Sequence, residues 1–195
     1  MNYSFYALVS RMKNINRWAL MRNSFAENVQ EHSHMVAVIA HSLAVIRQEI
    51  FKIPCNADRA ASVALFHDAS EIFTGDMPTP IKYFNPEIMT AYKQVEAVAS
   101  EKLVSTLPEE LQQPYRELLL SEDEDIEKIV KAADKLCAYI KCIEELKSGS
   151  DEFKQAAAQT LEKIKALNMP EVDYFTEHFI PAFELTLDEL NFTND

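Results

Sequence analysis

Apolar residues recur at helical spacing along almost the whole chain. Met35, Val36, Ile39, Leu43 and Ile46 share one face and predict a helix over about 32–48. Before it, a short helix over about 3–14 gives way to a polar, irregular stretch from 15 to 30. Asn56 or Asp58 can cap the next helix, which carries Ala60, Val63, Ala64 and Leu65 and closes at Gly75, a residue suited to the left-handed end of a helix. Pro78, Pro80 and Pro86 predict a loop over 76–86. Helices over about 86–106 and from Glu109 onward follow, the second preceded by Pro108 and interrupted near Pro114. Ile126, Ile129, Val130, Ala133, Cys137 and Ile140 line one side of a strong amphipathic helix over about 123–147, ended by Gly149. Two more, over about 151–167 and 170–190, complete the chain. Phe175, Phe179 and Phe183 in the last stand at i, i+4 spacing and read as core or as a subunit contact.

Composition sharpens this picture. Gly75 and Gly149 are the only glycines, which leaves no material for glycine-rich phosphate loops, Rossmann turns or tight hairpins. At 195 residues, with 48% hydrophobic and 26% charged side chains, the chain is long enough for a real core and is read as one domain, 1–195. The expected fold is an all-α, single-domain helical bundle. A net charge of −12 repels nucleic-acid polymers and anionic membrane surfaces on average. One local exception stands out: residues 1–26 hold Arg11, Lys13, Arg17 and Arg22 and no acid, a candidate for binding a small anion. Cys55, Cys137 and Cys142 are odd in number and lack C-x-x-C spacing, so they read as reduced thiols in a cytosol. Neither a signal-type apolar segment nor an 18-residue apolar run is present, and a soluble, unexported protein is expected.

Chemistry concentrates on histidines and carboxylates. His34 and His41 share a helical face roughly 10 Å apart along the axis, too far to hold one ion, while His32 points to nearly the opposite side. His178 lies among aromatics and reads as an ordinary histidine. His67-Asp68 differs because Glu71 follows: on a continuous helix Asp68 lies about 100° and Glu71 about 40° from His67, so three polar groups converge. Taken alone, the triplet fits either a metal site or a capping network near a helix C-terminus, where carboxylates oppose the helix dipole and a cation would offset them. Asp134, at the edge of its apolar arc, reads by itself as structural.

The order His32, His67-Asp68, Asp134 resembles the HD-domain phosphohydrolases. The closer resemblance is to the bacterial HD-domain 5'-deoxynucleotidases of the YfbR type. It is carried by Ile15-Asn16-Arg17-Trp18, Met21-Arg22-Asn23, Glu27-Asn28-Val29, Glu31-His32-Ser33 and His67-Asp68-Ala69-Ser70-Glu71. Thr74-Gly75-Asp76-Met77-Pro78-Thr79-Pro80, Lys82-Tyr83-Phe84 and Lys131-Ala132-Ala133-Asp134-Lys135-Leu136-Cys137-Ala138-Tyr139 extend it, as do Asp173-Tyr174-Phe175 and Leu187-Asp188-Glu189-Leu190. Only about 148–169 adds nothing to it.

This resemblance implies one divalent ion on His32, His67, Asp68 and Asp134, with Co²⁺ favoured and Mn²⁺, Cu²⁺, Zn²⁺ or Ni²⁺ as substitutes. It implies hydrolysis of 2'-deoxyribonucleoside 5'-monophosphates by in-line attack of a metal-bound water, without a covalent intermediate. Glu71 and Asp76 are the candidate acid/base groups. Arg17 would grip the phosphate, and Trp18, by base rate a core residue, would on this resemblance pack on the sugar and crowd out a 2'-hydroxyl. His32, Asp76, Met77, Pro78, Thr79, Pro80 and Asp134 complete the implied substrate cleft, in a cytoplasmic homodimer. Two alternatives keep the same residues: an HD-type hydrolase of nucleoside triphosphates or alarmones, and a non-catalytic nucleotide-binding regulator.

Overall fold

Side-chain caps set the helix starts in the computed structural model, which describes residues 2–82 and 84–190, with the backbone alone of Thr79. Helix α1 (Phe5–Val9) runs into a 3₁₀ turn over Ser10–Asn14. Helix α2 (Val29–Glu49) begins three residues before the predicted start at about 32, because Asn28 accepts from the Glu31 amide while the Glu31 carboxylate accepts from the Asn28 amide. Asn56 caps α3 (Ala57–Phe66), Asn85 caps α6 (Pro86–Val104) and Asp123 caps α8 (Glu124–Lys147). Each such cap contributes on the order of 1 kcal/mol.

Four expectations need correction. The helix starting at Ala57 ends at Phe66 instead of continuing to Gly75, and a separate short α4 (Glu71–Thr74) reaches that glycine, which closes it at φ 72°. The predicted loop over 76–86 contains a helical turn, α5 (Thr79–Lys82). Pro114 does not interrupt α7 (Glu109–Leu119): the ring deprives the Glu110 carbonyl of its amide partner, but Glu110 is exposed and water can take its place. The final helix stops early. After α9 (Lys154–Lys165), α10 (Pro170–His178) ends before Pro181, which lacks the amide a continuing helix needs, and a 3₁₀ turn over Ile180–Glu184 follows. The phenylalanine stripe therefore divides: Phe175 is buried, Phe183 packs against the main core and Phe179 is exposed.

The main core joins α2, α3, α8 and α10. Where α2, α3 and α8 meet, Ala40, Ala44, Ala60, Ala64, Ala132 and Ala133 are fully buried, so the backbones approach closely. Leu43, Ile129 and Leu136 fill the layers between. A second cluster places Phe5, Met12, Val29, Ala69, Leu103 and Leu107 around the start of α2.

Residues 15–28 are irregular, as expected, but not loose. Asn16 and Asn28 form an antiparallel bridge, flanked by hydrogen bonds from the Arg17 amide to the Glu27 carbonyl (2.9 Å) and from the Val29 amide to the Ile15 carbonyl (2.9 Å). A buried ion pair anchors the middle. Glu145 accepts from Lys141 Nζ (2.5 Å) and from the Ser24 amide (2.8 Å), and Lys141 also donates to the Phe25 carbonyl (2.7 Å) and lies 3.4 Å above the Phe25 ring centroid. Removing one partner strands the other charge in the core. Lys141→Met is therefore expected to lower the unfolding free energy by about 3–5 kcal/mol in a urea titration; a loss below about 1 kcal/mol would remove the pair from the list of stabilising contacts. Burial opposes ionisation of Glu145, but the hydrogen bonds from Lys141 and Ser24 outweigh it and lower its pKa. Its contribution is then complete above about pH 4.3 and lost as pH falls through the lowered value, so Glu145→Gln should flatten the acid limb of the stability curve.

Candidate active site

His67 and Asp68 lie in a tight turn, not on a continuous helix. The Ala64 carbonyl, which would otherwise accept from the Asp68 amide, is taken by His67 Nδ1 (2.7 Å) and the His67 amide (3.3 Å), and i to i+3 bonding continues through Ile72. The angular argument for His67, Asp68 and Glu71 on one helix therefore does not hold. What converges instead is set by tertiary packing. A carbonyl only accepts, so Nδ1 of His67 carries the proton and Nε2 faces inward, buried and without a hydrogen-bond partner.

His32 meets this turn from the second turn of α2, with 1% of its surface exposed. Its Nε2 stands 3.0 Å from Asp134 Oδ1 of α8 and 3.7 Å from Asp68 Oδ2, and the two imidazole rings are 5.3 Å apart. One donor atom each from His32, His67 and Asp68 lies within 4.8 Å of the others, and Asp134 joins through His32. Burial disfavours both carboxylates in their charged form, yet the surrounding histidines reverse this. His67, His32 and Arg17 hold Asp68 well below the carboxylate range, and a hydrogen bond and charge from His32 lower Asp134 to about 2. Burial likewise opposes the charge on His67, but Asp68 overrides it and raises that pKa.

His67 Nε2 makes no hydrogen bond and faces Asp68 Oδ2 at 3.1 Å, His32 Nε2 faces the same oxygen at 3.7 Å, and two carboxylates stay ionised beside them. Nitrogen and oxygen donors in this mixture fit a borderline divalent first-row ion, which would satisfy groups that are costly to leave bare.

Arg17 approaches from the 15–28 segment. Its Nη1 lies 3.4 Å from Asp68 Oδ2, and its Nε donates to Glu27 Oε2 (3.2 Å), which also accepts from Trp18 Nε1 (3.0 Å). Trp18 adopts φ 57°, an uncommon conformation for a bulky residue, and packs on Phe153 at 5.4 Å between ring centroids. The rest of the basic segment is elsewhere: Arg22 pairs with Glu152 at the surface (2.7 Å), and Arg11 and Lys13 are exposed. Glu71 is buried at 4% exposure, and its Oε2 has no hydrogen-bond partner. Burial, then the negative charges of Asp68 and Asp76, push its pKa up to about 9, and burial also raises Asp76 just beyond Gly75. Met77 and Pro78 are half-buried and Pro80 is exposed. No described hydrogen bond or ion pair ties these three to the cluster, and the side chain of Thr79 lies outside the described set.

Residues 4–183 match the family described as 5'-deoxynucleotidase YfbR-like. Proteins named 5'-deoxynucleotidase from Yersinia pestis (strain Pestoides F) and Yersinia pseudotuberculosis (strain YPIII) are 53% identical over 192 residues, covering 96% of both chains. The chain belongs to the YfbR-like 5'-deoxynucleotidase family. An HD-domain phosphohydrolase from Listeria innocua superposes with a TM-score of 0.81 at 27% identity, covering 92% of this chain and 88% of that one. A cyanophage S-2L HD phosphohydrolase, solved bound to dA and one catalytic Zn²⁺, shares the fold at a TM-score of 0.64 and 20% identity, covering 90% and 95%. This chain thus shares the all-α HD architecture of these two structures.

Sequence reasoning passed over Glu27 as a ligand of Arg17 and Trp18, since a contact made across an isolated bridge leaves no periodic signal. Lys141 and Glu145 left only a faint one: four residues apart on α8, they flank the Asp134 side of the apolar arc, and only packing shows that both are buried. In this family member Glu71 is a burial cost as well as a candidate acid. A raised carboxyl pKa means that stability is fully present below about pH 4.3 and declines as pH rises toward the folded value. Glu71→Gln in chelator-treated protein should therefore gain about 2 kcal/mol at pH 8 and far less at pH 5 in urea titrations; an equal gap at both pH values would contradict this.

Proposed function

We propose that this protein hydrolyses 2'-deoxyribonucleoside 5'-monophosphates to deoxynucleoside and inorganic phosphate, with a divalent ion held by His32, His67, Asp68 and Asp134. The observation that carries this reading is the meeting of those four side chains, His32 buried and Asp134 opening to solvent, from three separate stretches, with the Arg17 guanidinium against Asp68. The names of the Yersinia relatives support the substrate class, and the dA and Zn²⁺ bound by the cyanophage neighbour support metal and nucleoside chemistry in this fold. Held by these residues, such an ion would supply Lewis acidity to the reaction and make water more acidic. Co²⁺ is our choice, with Mn²⁺, Cu²⁺, Zn²⁺ and Ni²⁺ as substitutes.

The chain's own groups do the rest. Arg17, fixed through Nε by Glu27, offers its Nη edge to the phosphate oxygens. As water oxygen bonds to phosphorus and the P–O5' bond breaks, Glu71, whose pKa burial raises in the metal-free chain, gives its proton to the departing 5'-oxygen, and Asp76, the second acid/base group, takes the proton that the water releases. Trp18 packs on the sugar and leaves no space for a 2'-hydroxyl. Met77, Pro78, Thr79 and Pro80 form the opposite wall, and His32, Asp76 and Asp134 border the substrate. Residues 1–195 act as one domain in a cytoplasmic homodimer: the cysteines at 55, 137 and 142 are unpaired, and Val95 and Val98 leave apolar surface on α6 for a second copy to cover. Among the described residues no helix is long and apolar enough to cross a membrane.

A phosphate-release screen of deoxy- and ribonucleoside monophosphates against divalent ions, after chelator treatment, tests this. Phosphate from dAMP and little from AMP is expected; pyrophosphate or triphosphate from larger substrates, or no turnover with any ion, would overturn it. Glu71→Ala should reduce kcat about 10²–10⁴-fold with metal content near stoichiometric, and loss of metal would make Glu71 a ligand or its support. Trp18→Ala should admit ribonucleotides; unchanged discrimination would return that indole to a packing role.

A further inference from the structure

Glu27 holds two consecutive residues with one oxygen. Its backbone carbonyl accepts from the Arg17 amide (2.9 Å), and Oε2 accepts from Arg17 Nε (3.2 Å) and from Trp18 Nε1 (3.0 Å). In extended backbone, neighbouring side chains project to opposite faces. The left-handed turn at Trp18 breaks that alternation, and Asn23 Nδ2, donating to the Trp18 carbonyl (3.2 Å), helps to hold it. Strain of this kind persists only where surrounding contacts over-determine it. Here those contacts are the Glu27 carboxylate, the Phe153 ring and the Asn23 amide, while Glu27 is itself mostly buried, with 17% of its side chain exposed.

We propose that Glu27 is a positioning residue that links phosphate binding to sugar selection. By occupying Nε it fixes the rotation of the Arg17 guanidinium, whose Nη1 then lies on the Asp68 side. By occupying Nε1 it fixes the plane of the Trp18 indole. Phosphate grip and exclusion of the 2'-hydroxyl are consequently set by the same carboxylate oxygen. The inference rests on the roles given to Arg17 and Trp18 under the proposed function.

The test uses the metal-loaded protein with dAMP and AMP. Glu27→Ala is expected to lower kcat/KM for dAMP about 10- to 100-fold, mainly through KM, and to shrink the dAMP-to-AMP preference about tenfold, with metal content unchanged. Glu27→Gln, which keeps an acceptor oxygen in the same place, should restore the preference while the rate stays intermediate. Arg17→Ala should lose rate but keep the preference, and the Arg17→Ala/Glu27→Ala double variant should be no slower than Arg17→Ala alone. Trp18 is the sole tryptophan, so its fluorescence reports the clamp without turnover: Glu27→Ala should shift emission to longer wavelength and increase acrylamide quenching, and Arg17→Ala should not. Multiplying losses in the double variant, or a Glu27→Ala protein with unchanged preference and emission, would overturn the proposal. If Glu27→Ala does not fold, Glu27→Asp, which keeps the charge but withdraws it by one methylene, is read in the same way. A parent protein inert toward dAMP with every ion would overturn the proposed function instead, and the fluorescence comparison would still decide whether Glu27 holds Trp18.

Discussion

Close approach of α2, α3 and α8 is the constraint on which the rest depends. Alanines at the crossings let His32, the turn after α3 and Asp134 reach one small volume. Larger side chains there would force the helices apart, and overpacking of this kind costs about 1–3 kcal/mol even before the donor groups separate. The same alanines that look like unremarkable helix formers in the sequence thus determine whether His32 Nε2 lies 3.0 Å from Asp134.

Once together, these groups create an electrostatic problem that the protein only partly answers. Asp68, Asp134, Glu71 and Asp76 gather within an already acidic chain, and Arg17 is the cation that reaches Asp68. The result is uneven: Asp68 and Asp134 stay ionised beside the histidines and Glu71 holds its proton. Pairs of carboxyl groups with separated pKa values are what acid and base chemistry at one pH requires. A divalent cation is the natural complement to the ionised pair, and the two Nε2 atoms turned toward Asp68 are donors for the same ion.

Much of the helical order was legible because amphipathic periodicity and side-chain caps are local signals. Asp123 and Lys147 bracket a helix that packing merely completes. Misreadings arose where a local rule met a non-local competitor. Capture of the Ala64 carbonyl by the His67 side chain ended α3 early, and no propensity expresses that competition. Pro181 carried a plain stop signal that the phenylalanine spacing obscured. His32, His67, Asp68 and Asp134 were linked by resemblance, since the residues alone left Asp134 indistinguishable from a solvated carboxylate. Glu27 was beyond reach in principle, because its partners are chosen by an isolated bridge and a left-handed tryptophan.

The 15–28 segment joins core stability to the placement of Arg17 and Trp18. A stretch without regular structure ordinarily moves, and a phosphate grip or a sugar wall built on it would be imprecise by ångströms. Here the segment is tied down along its length: by the Asn16–Asn28 bridge at its base, by Glu152 and Phe153 against Arg22 and Trp18, and by the Lys141–Glu145 pair under Ser24 and Phe25. Replacing that pair with apolar residues of equal volume would cost the core little. It would, however, leave the Ser24 amide and the Phe25 carbonyl without their partners, and the segment would lose its middle anchor. Buried charge on α8 is therefore best understood as serving the placement of Arg17 and Trp18, with core stability as its secondary effect.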